Sequence, residues 1–418
     1  MNASPERAEH TARVAYLANM FPSPVEPYVG EEIAHLRESA VPVIACSVLR
    51  SRHAREKVHA DIVLVPAGPW CLLMGLCLGL RHRQQLRSVL RKAVDNRRET
   101  WLRRMKTLLH TWLGCCLAWK LRNAEVRHLH VHHGYAAAWI AMTAAQVLGR
   151  TYSMTLHGSD LLLGASYLDV KLERCECCFT ISEYNRNVIR RLYPLVDDRK
   201  LVVQRLGVPI PVKASARVQD EDLQSCFSLL TVGRLHAVKN HTFLFYACAL
   251  LREQGQAVHC RVAGDGPERR RLKDLREHLH LSSEVEFLGA IPHEELGAYY
   301  DAADLVVLTS LSEGIPLTLM EAMARGALVL APAITGIPEL VADGETGFLY
   351  RPGSLEDFAS RVAWIREHYA ALSHVRRAAR QHVRHSFNRE LNLPRFQQRL
   401  LRQVWGCEDL QDANLVLQ

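Results

Sequence analysis

Short apolar runs alternate with helical patterns along almost the whole chain of 418 residues. Runs with apolar residues at consecutive positions predict strands that are buried on both faces, as in a parallel sheet covered by helices. The alternation therefore predicts an α/β protein built on doubly wound parallel sheets. Twelve strands are predicted, at residues 13–18, 41–48, 62–65, 128–132, 152–156, 178–181, 201–203, 229–232, 259–263, 285–288, 305–308 and 328–331.

A change of pattern divides these strands into two groups. Residues 208–225 contain two prolines and several acids, and their weak periodicity predicts an interdomain linker. We predict an N-terminal domain over 1–207, a second domain over 208–385, and a C-terminal helical segment over 386–418 that could return to the first domain. Ligands of doubly wound sheets bind at the carboxyl ends of the strands, so a cleft between the domains is the expected site.

One uncharged stretch, residues 62–80, has nineteen residues and reaches the lower length limit of a membrane-spanning helix. Pro66, Gly68 and Pro69 interrupt it early, and a helix through these positions would be broken. We therefore predict a buried strand, a turn, and a short apolar helix from Trp70 that belongs to the core.

The next segment, residues 81–127, is strongly basic. It contains thirteen Lys or Arg and three acids, an excess larger than the net charge of +8 of the whole chain. Apolar residues at three- and four-residue steps, among them Trp101 and Trp112, would form a stripe on a basic helix. Such a helix can lie on an anionic membrane surface. Alternatively, the stripe packs on the domain and leaves a solvated basic face.

The composition is that of an ordinary globular protein, with 48% apolar and 23% charged residues. The net charge is too small to indicate nucleic acid, and no nucleic-acid-binding motif accompanies the basic segment. Twelve cysteines without a paired zinc spacing favour reduced cytosolic thiols. The first 21 residues have no basic region before a long apolar one, so no secretory signal is expected.

Residues 310–349 contain the most informative candidate site residues. Glu313 lies in a loop after a predicted strand, and Pro316 can occupy the first turn of the next helix. Glu321 lies about 7.5 Å along the axis of that helix. The two carboxylates would flank a helix N-terminus, which suits a phosphate. They could bind hydroxyl groups at the two ends of a sugar–diphosphate–ribose ligand, although each could also be an ordinary surface acid.

Two cations precede this segment at the same predicted sheet edge. Arg234 directly follows a strand, and Lys239 lies at the start of the next helix. Two fixed cations there can neutralise a diphosphate without a metal ion. An Asp-x-Asp pattern, Asp220 and Asp222, lies in the predicted linker and is most simply solvated. Neither a metal nor another cofactor is therefore expected.

The motifs in the second half occur in a specific order. VGRL, VKN, AGDGPE, FLG, SLSEGIPLTLMEAMA, GIPELV and DGETGFL, within residues 227–370, resemble the donor domain of the GT4 family of retaining glycosyltransferases. Glu313 and Glu321 match the E-x7-E motif of that family. The first half resembles bacterial transferases of the colanic-acid type through MFPSPVEPYVGEEI, HVHHGYAAAW, TLHGSD and ISEYNRNVI. The resemblance implies the GT-B fold, with two Rossmann-like domains facing across a cleft.

The resemblance also implies the roles of single residues. His157 would line the donor sugar near the reacting carbon, although a histidine after a strand can also be an ordinary loop residue. Glu313 would contact the transferred sugar, and Glu26 and Asp160 would lie on the acceptor side. Glu26 stands in SPVEPY, where family members often carry a Ser-Glu-Thr-like sequence. The residues implied to bind the donor are Arg234, Lys239, Gly314, Ile315, Pro316, Leu317 and Glu321.

The implied activity is transfer of a hexosyl unit, with retention of configuration, from a nucleotide-diphosphate sugar to a glycan or polyprenyl-linked acceptor. UDP-hexose is the preferred donor and GDP-mannose the next. A cytoplasmic protein on the inner face of the cell membrane is expected, with peripheral contact to anionic lipid through residues 70–127. The alternatives are a GT-B-fold nucleotide-sugar 2-epimerase and a non-catalytic nucleotide-sugar-binding protein.

Overall fold

The computed structural model describes residues 13–23, 26–51, 59–95, 99–212 and 226–405. Four sequence predictions on the ends of the chain and on the linker fall wholly or partly outside them. They are the absence of a secretory signal, which concerns mainly residues 1–12, the Asp-x-Asp pattern of Asp220 and Asp222, the linker from residue 213 to 225, and the C-terminal helical segment after residue 405. The described residues form two α/β units.

Neither unit is continuous in sequence. The first comprises Met1–Ile181, Asn185–Gln204 and Leu393–Gln418, and the second comprises Ser182–Tyr184 and Arg205–Asn392. The domain boundary predicted after residue 207 lies three residues beyond the change of unit after Gln204.

A parallel sheet of seven strands forms the centre of the first unit. Its strands are β1 (Arg13–Phe21), β2 (Val43–Arg50), β3 (Ile62–Val65), β4 (Val126–His132), β5 (Thr151–Leu156), β6 (Cys177–Thr180) and β7 (Leu201–Val203). The spatial order is β3-β2-β1-β4-β5-β6-β7. Consecutive residues of β1, from Val14 to Leu17, are buried, as expected for a strand covered on both faces. The seven strands predicted in the first half are confirmed.

Glycines allow the helices of this unit to pack closely. A Cβ at Gly114 would lie 2.5 Å from Cβ of Thr143, and one at Gly75 would lie 2.5 Å from Sγ of Cys116. Contacts this short exclude a larger side chain. The helices up to residue 192 are α1 (Pro27–Glu38), α2 (Pro69–Arg81), α3 (Arg83–Asp95), α4 (Trp101–Leu121), α5 (Ala136–Leu148), α6 (Ser159–Leu162), α7 (Leu168–Arg174) and α8 (Glu183–Leu192).

Helix α2 is the apolar helix predicted from Trp70, and it begins one residue earlier, at Pro69. Its assignment to the core is wrong. Cys71 and Gly75 are its fully buried residues, whereas Trp70 is 63% exposed and three leucines are exposed as well. Apolar composition predicted burial, but a helix on the outside of a domain needs to bury only one side. Among the described residues, no helix is both long and apolar enough to cross a membrane.

The basic segment forms two helices, α3 and α4, with residues 96–98 between them not described. The predicted apolar stripe divides within α4. Its second part, from Leu113 to Leu121, is largely buried, whereas Trp101, Leu102, Met105 and Leu109 in the first part are exposed. The second half of α4 therefore packs on the domain, as one of the two alternatives predicts, and the first half presents its apolar residues to solvent.

The second unit contains a parallel sheet of six strands. These are β8 (Phe227–Val232), β9 (Val258–Ala263), β10 (Val285–Gly289), β11 (Leu305–Val307), β12 (Leu328–Pro332) and β13 (Phe348–Tyr350), in the spatial order β10-β9-β8-β11-β12-β13. Alternate residues of β8 and β11 belong to different apolar clusters, so a core covers each face of the sheet. The five strands predicted here are confirmed. The sequence prediction missed β13, which has only three residues.

The remaining helices are α9 (His241–Glu253), α10 (Arg269–His278), α11 (Leu296–Ala302), α12 (Leu317–Ala324), α13 (Ile337–Leu340), α14 (Leu355–Glu367), α15 (Ser373–Ser386) and α16 (Arg389–Trp405). The first residues of the predicted linker, 208–212, belong to the second unit. The N–H of Val208 donates to the carbonyl of Phe387 at 2.9 Å, and its carbonyl accepts from Arg389 at 3.1 Å. Helix α16 belongs to the second unit up to Asn392 and to the first unit from Leu393 onward. Its Phe396 and Leu400 lie in the apolar core around β1.

Candidate active site

Two glycine-containing loops meet at the carboxyl edge of the second sheet, one after β8 and one after β9. A Cβ at Gly264, where φ is 144°, would lie 1.9 Å from the carbonyl oxygen of Gly233. A Cβ at Gly266 would lie 2.4 Å from the carbonyl oxygen of Leu235. Because only glycine fits at these contacts, the AGDGPE sequence lets the second loop pack directly on the backbone around Arg234.

Lys239 joins the loop after β8 to the loop after β11. Its Nζ lies 2.5 Å from Oε1 of Glu313, and Oγ of Ser310 donates a hydrogen bond to the same oxygen at 2.6 Å. The hydroxyl of Thr309 donates to the main-chain carbonyl of Lys239 at 3.0 Å. A predicted donor-site cation and a predicted catalytic carboxylate are therefore in direct contact.

The ion pair is partly buried, with 24% of the Lys239 side chain and 13% of the Glu313 side chain exposed. Oε2 of Glu313 has no hydrogen-bond partner among the described residues. One carboxylate oxygen is thus fixed by the protein, and the other can accept a hydrogen bond from a ligand. Screening by water is weaker at this depth than at the surface, so the pair also holds Lys239 in place.

Arg234 is exposed on the loop after β8, and no described acid pairs with it. Its guanidinium is therefore available to an anion. From Glu313 the chain continues through Gly314, Ile315 and Pro316 into α12, where Pro316 is the N-cap residue and Leu317 the first helical residue. A Cβ at Gly336 would lie 2.3 Å from the carbonyl oxygen of Gly314, so close packing fixes this connection.

Glu321, the fifth residue of α12, lies apart from the Lys239–Glu313 pair in its contacts. Nε2 of His293 lies 2.8 Å from Oε1, and the hydroxyl of Tyr300 donates to Oε2 at 2.8 Å. Burial, and then the Glu321 charge, raises the pKa of Tyr300 well above its usual value, so this hydroxyl remains a donor. Each carboxylate oxygen keeps a second lone pair for a ligand hydroxyl. The sequence motifs did not predict a role for His293 and Tyr300.

A histidine cluster occupies the carboxyl edge of the first sheet. His132, the last residue of β4, lies 3.0 Å through Nε2 from Oε2 of Glu32, and 3.0 Å through Nδ1 from Nε2 of His157. The hydroxyl of Tyr16 donates to the same oxygen of Glu32 at 3.1 Å. The ring of Tyr28 stacks on His157, with centroids 4.4 Å apart. His157 is therefore held by contacts from α1 and β4.

The hydrogen bonds of His157 leave one of its ring nitrogens open to a ligand. Glu32 accepts from Nε2–H of His132, and Nδ1 of His132 shares one hydrogen bond with Nε2 of His157. Burial, and then the charge of His133, lowers the pKa of His157 well below its usual value, so the ring is neutral. Nδ1 of His157 has no hydrogen-bond partner among the described residues. It is available to form a hydrogen bond with a hydroxyl group.

His133 lies between two of the predicted acceptor-side carboxylates. Its Nε2 is 3.0 Å from Oε1 of Glu26, and its Nδ1 is 3.4 Å from Oδ1 of Asp160. Burial alone would lower the pKa of His133, but Asp160 and Glu26 raise it to about 10. His133 is therefore an imidazolium near neutral pH. Oε1 of Glu26 is already engaged in the ion pair with His133.

Asp160 is fully buried, which differs from the wall position expected on the acceptor side. It accepts from the backbone N–H of Gly134 at 2.7 Å and of His157 at 2.9 Å. Burial would raise the pKa of Asp160, but His133 and these two N–H groups lower it. The carboxylate thus fixes the loops after β4 and β5, and its contacts within the protein leave it closed to an acceptor.

The histidines of the family-like motif HVHHGYAAAW were not predicted to have a role. His128, His130 and His132 alternate along β4 and are all buried, and this spacing was a usable signal for a polar row inside the sheet. Oxygen or nitrogen atoms of Glu32, His130 and His132 lie within 4.8 Å of one another. Both ring nitrogens of His130 are already hydrogen-bonded, to Ser153 and Thr155, so the cluster fits a hydrogen-bond network better than a metal centre.

Residues 221–382 match the family described as Glycosyl transferases group 1. The chain contains a glycosyltransferase group 1 domain. This domain includes Arg234, Lys239, Glu313 and Glu321, so the family match covers the whole candidate donor site of the second unit.

A curated relative from Escherichia coli K12 carries the name colanic acid biosynthesis glycosyltransferase WcaL. It is 36% identical over 205 residues, which cover 46% of this chain and 48% of the relative. The chain thus spans about half the length of the curated relative it matches. This agrees with the predicted resemblance to transferases of the colanic-acid type.

Solved structures match nearly the whole chain. Sucrose-phosphate synthase from Thermosynechococcus elongatus has a TM-score of 0.73 and 19% identity, and covers 94% of this chain and 99% of its own. Anabaena HepE in complex with UDP and glucose has a TM-score of 0.68 and 18% identity, and covers 93% and 99%. At these identities the likeness shows the fold, and the predicted α/β class of GT-B type is confirmed.

Proposed function

We propose that this protein is a retaining glycosyltransferase of exopolysaccharide biosynthesis that transfers a hexosyl unit from a nucleotide-diphosphate sugar. The contact of Lys239 and Ser310 with Glu313, directly before α12 in the group 1 domain, carries the proposal. A sugar diphosphate offers both groups that such an arrangement binds, namely phosphate oxygens for the cations and sugar hydroxyls for the carboxylate.

The diphosphate is the leaving group, and its developing negative charge is the main electrostatic demand of the reaction. Arg234, Lys239 and the N–H groups before and within the first turn of α12 are cationic or partially positive groups in one part of the unit. Because Lys239 is already fixed by Glu313, it needs little reorganisation when the donor binds. Gly314, Ile315, Pro316 and Leu317 supply the backbone of this connection, and Glu321 is proposed to bind the ribose.

Glu313 is proposed to bind the transferred sugar through Oε2, the oxygen without a protein partner. His157, in the first unit, is proposed to form a hydrogen bond with a sugar hydroxyl through Nδ1. In the transfer step the bond between the anomeric carbon and the diphosphate oxygen breaks, and a bond to the acceptor oxygen forms on the same face. The departing phosphate takes the proton of the acceptor hydroxyl, so configuration is retained without a protein nucleophile.

UDP-hexose is the proposed donor, ahead of GDP-mannose. The occurrence of UDP and glucose together in the HepE complex supports this order, since that protein shares the fold. The proposed acceptor is a glycan or a polyprenyl-linked saccharide. We place the reaction at the cytoplasmic face of the cell membrane with peripheral contact, supported by the basic charge of the segment from residue 70 to 127.

The proposal is tested with the purified full chain, a panel of UDP- and GDP-sugars, and a lipid-linked or oligosaccharide acceptor. Transfer should require both substrates and give the anomer of the donor. Glu313→Gln should lower turnover roughly hundredfold, because a neutral amide stabilises the developing positive charge on the sugar less well. Glu345→Gln, at an exposed glutamate of the same unit, is the matched control and should retain activity.

Each other outcome has a defined meaning. A sugar product formed equally well without acceptor would identify an epimerase and refute the transferase. Binding of nucleotide-sugar without turnover on any acceptor tested, and with the same affinity in Glu313→Gln as in the parent chain, would favour a binding protein. Product of inverted configuration would refute the retaining mechanism but not the donor site.

A further inference from the structure

Helix α2 presents a continuous apolar face to solvent. At about 100° per residue, Trp70, Leu73, Leu76, Cys77 and Leu80 fall within an arc of about 120°. All five are exposed, and the four large side chains are between 49% and 63% exposed. Cys71 and Gly75 lie on the opposite side, where the helix packs on α4. We call these five residues the apolar face of α2.

The first half of α4 continues this pattern. Trp101, Leu102, Met105 and Leu109 are exposed and fall within an arc of about 100°. Helices α2 and α4 are in contact, since Nε1 of Trp112 donates to the carbonyl of Leu72 at 3.0 Å. Two neighbouring helices of one unit therefore each expose an apolar stripe. Exposed apolar stripes on a soluble protein often mark an interaction site.

The charges around these stripes are mainly positive. The sequence from Pro69 to Val94 contains no acid and five Lys or Arg. Arg83 and Arg87, one turn apart on α3, are exposed and have no acidic partner among the described residues. The two acids nearby in sequence are already paired, Asp95 with Arg91 and Glu99 with Arg103. The surface thus combines apolar side chains with uncompensated positive charge.

We propose that the apolar face of α2 and the exposed stripe of α4 insert into the interfacial layer of an anionic bilayer, while Arg83 and Arg87 bind lipid headgroups. A helix of 13 residues is about 20 Å long, and a bilayer core is about 30 Å thick, so α2 lies in the membrane plane. Trp70 and Trp101, each at the first turn of its helix, have the amphipathic ring that favours this layer.

Charge favours a bilayer over a second copy of the chain as the occupant. Two copies joined through this surface would bring equal positive charges together, whereas an anionic leaflet neutralises them. The proposal rests on the peripheral contact proposed above and does not depend on the transfer reaction. Its test therefore measures binding to lipid and leaves catalysis as a separate readout.

The test is sedimentation of the full chain with vesicles of phosphatidylcholine alone or mixed with phosphatidylglycerol. The parent chain should bind the anionic vesicles and release at high salt. Leu73→Gln with Leu76→Gln should weaken binding roughly hundredfold, since two inserted leucines are lost. Leu163→Gln with Leu195→Gln is the matched control, because both leucines are exposed in the same unit and lie outside the surface. It should bind as the parent does.

The charge contribution is tested separately. Arg83→Gln with Arg87→Gln should weaken binding about fivefold per residue at moderate salt. Arg270→Gln with Arg377→Gln, at exposed arginines of the second unit, should leave it unchanged. In all variants, binding of UDP and transfer to an oligosaccharide acceptor without vesicles should remain as in the parent, which shows that the chain is folded.

Three results would overturn the proposal. The parent chain could ignore anionic vesicles. The leucine variant could bind them as tightly as its control. Analytical ultracentrifugation could show a dimer that the leucine substitutions dissociate, with no lipid binding, which would assign the surface to a second copy. None of these results would affect the proposed transfer reaction, which is scored with a water-soluble acceptor.

Discussion

Replacing His133 by glutamine should remove a pH-dependent contribution to the stability of the first unit. His133 lies between Glu26 and Asp160, at 3.0 Å and 3.4 Å, and these carboxylates raise its pKa from 6.5 to about 10. Glutamine keeps hydrogen-bonding capacity and approximate size but carries no charge. The substitution therefore isolates the contribution of the imidazolium.

The sign follows from the direction of the shift. A group whose pKa is raised on folding binds its proton more tightly in the folded state, so its stabilisation is complete below about pH 6.5 and is lost as the pH rises through about 10. The slope is at most about 1.4 kcal/mol per pH unit, and the total at most ~5 kcal/mol. The interaction between His133 and Asp160 also lowers the pKa of Asp160. The pKa shifts of the two residues therefore describe one interaction, and their free energies must not be added.

Urea unfolding of the parent chain and the variant at about pH 6, 7, 8 and 9 measures this contribution. The difference in free energy of unfolding should be largest at the lowest pH and should shrink steadily above about pH 7. Tyr28→Phe is a suitable control, because it removes a hydroxyl 3.2 Å from the same ring without removing the charge. Its effect on stability should not follow the titration of His133.

A difference between parent and glutamine variant that stays constant from pH 6 to 9 would refute the reasoning. It would mean that His133 is neutral in the folded chain and that its two carboxylate partners do not hold a proton there. Nitrogen chemical shifts of selectively labelled histidine give an independent answer, since both ring nitrogens of an imidazolium carry a proton. Loss of that signal in His133→Gln assigns it.

Three further predictions concern lysines and the donor site. Lys239→Ala and Arg234→Ala should each weaken binding of UDP tenfold or more while changing binding of uridine little, because a charge-assisted contact contributes about 1.5–3 kcal/mol; calorimetry measures both, and equal losses would indicate a damaged fold. Lys273→Ala, at an exposed lysine of the same unit, should change neither. Lys171 is buried and its pKa is lowered from 10.5 to about 7, so the parent chain should gain stability relative to Lys171→Met as the pH rises from about 7 to 10.5. This slope is opposite to that of His133, and urea unfolding of the two variants separates them.

The sequence predicted the sheets well because strand signals are local. Every predicted strand is present, and the donor-site loops lie at one sheet edge because parallel strands place their carboxyl ends together. The contact between Lys239 and Glu313 also follows from that rule, although they are 74 residues apart. The strand missed, β13, is too short for its pattern to differ from that of a loop.

The predictions that were wrong or missing concern residues whose environment is set by contacts between distant parts of the chain. The local sequence pattern does not contain these contacts. The composition of α2 is that of a buried helix, and its exposure follows from there being no described element over its outer side. The link from Glu32 to His132 joins residues 100 positions apart, and neither residue has a local signal for the other. Asp160 was expected on an open wall, but its position one turn after β5 brings it under the N–H groups of Gly134 and His157 instead.

The packing of Gly264 on Gly233 makes the loops after β8 and β9 a single mechanical unit. A Cβ at position 264 would lie 1.9 Å from the carbonyl oxygen of Gly233. Any side chain at this position must therefore push the loop after β8 away from the sheet. Arg234 follows Gly233 directly, so it would move as well, although the substitution touches no charged group. A variant at this glycine would therefore lose affinity for phosphate through displacement alone, and restoring charge elsewhere on the loop would not recover it.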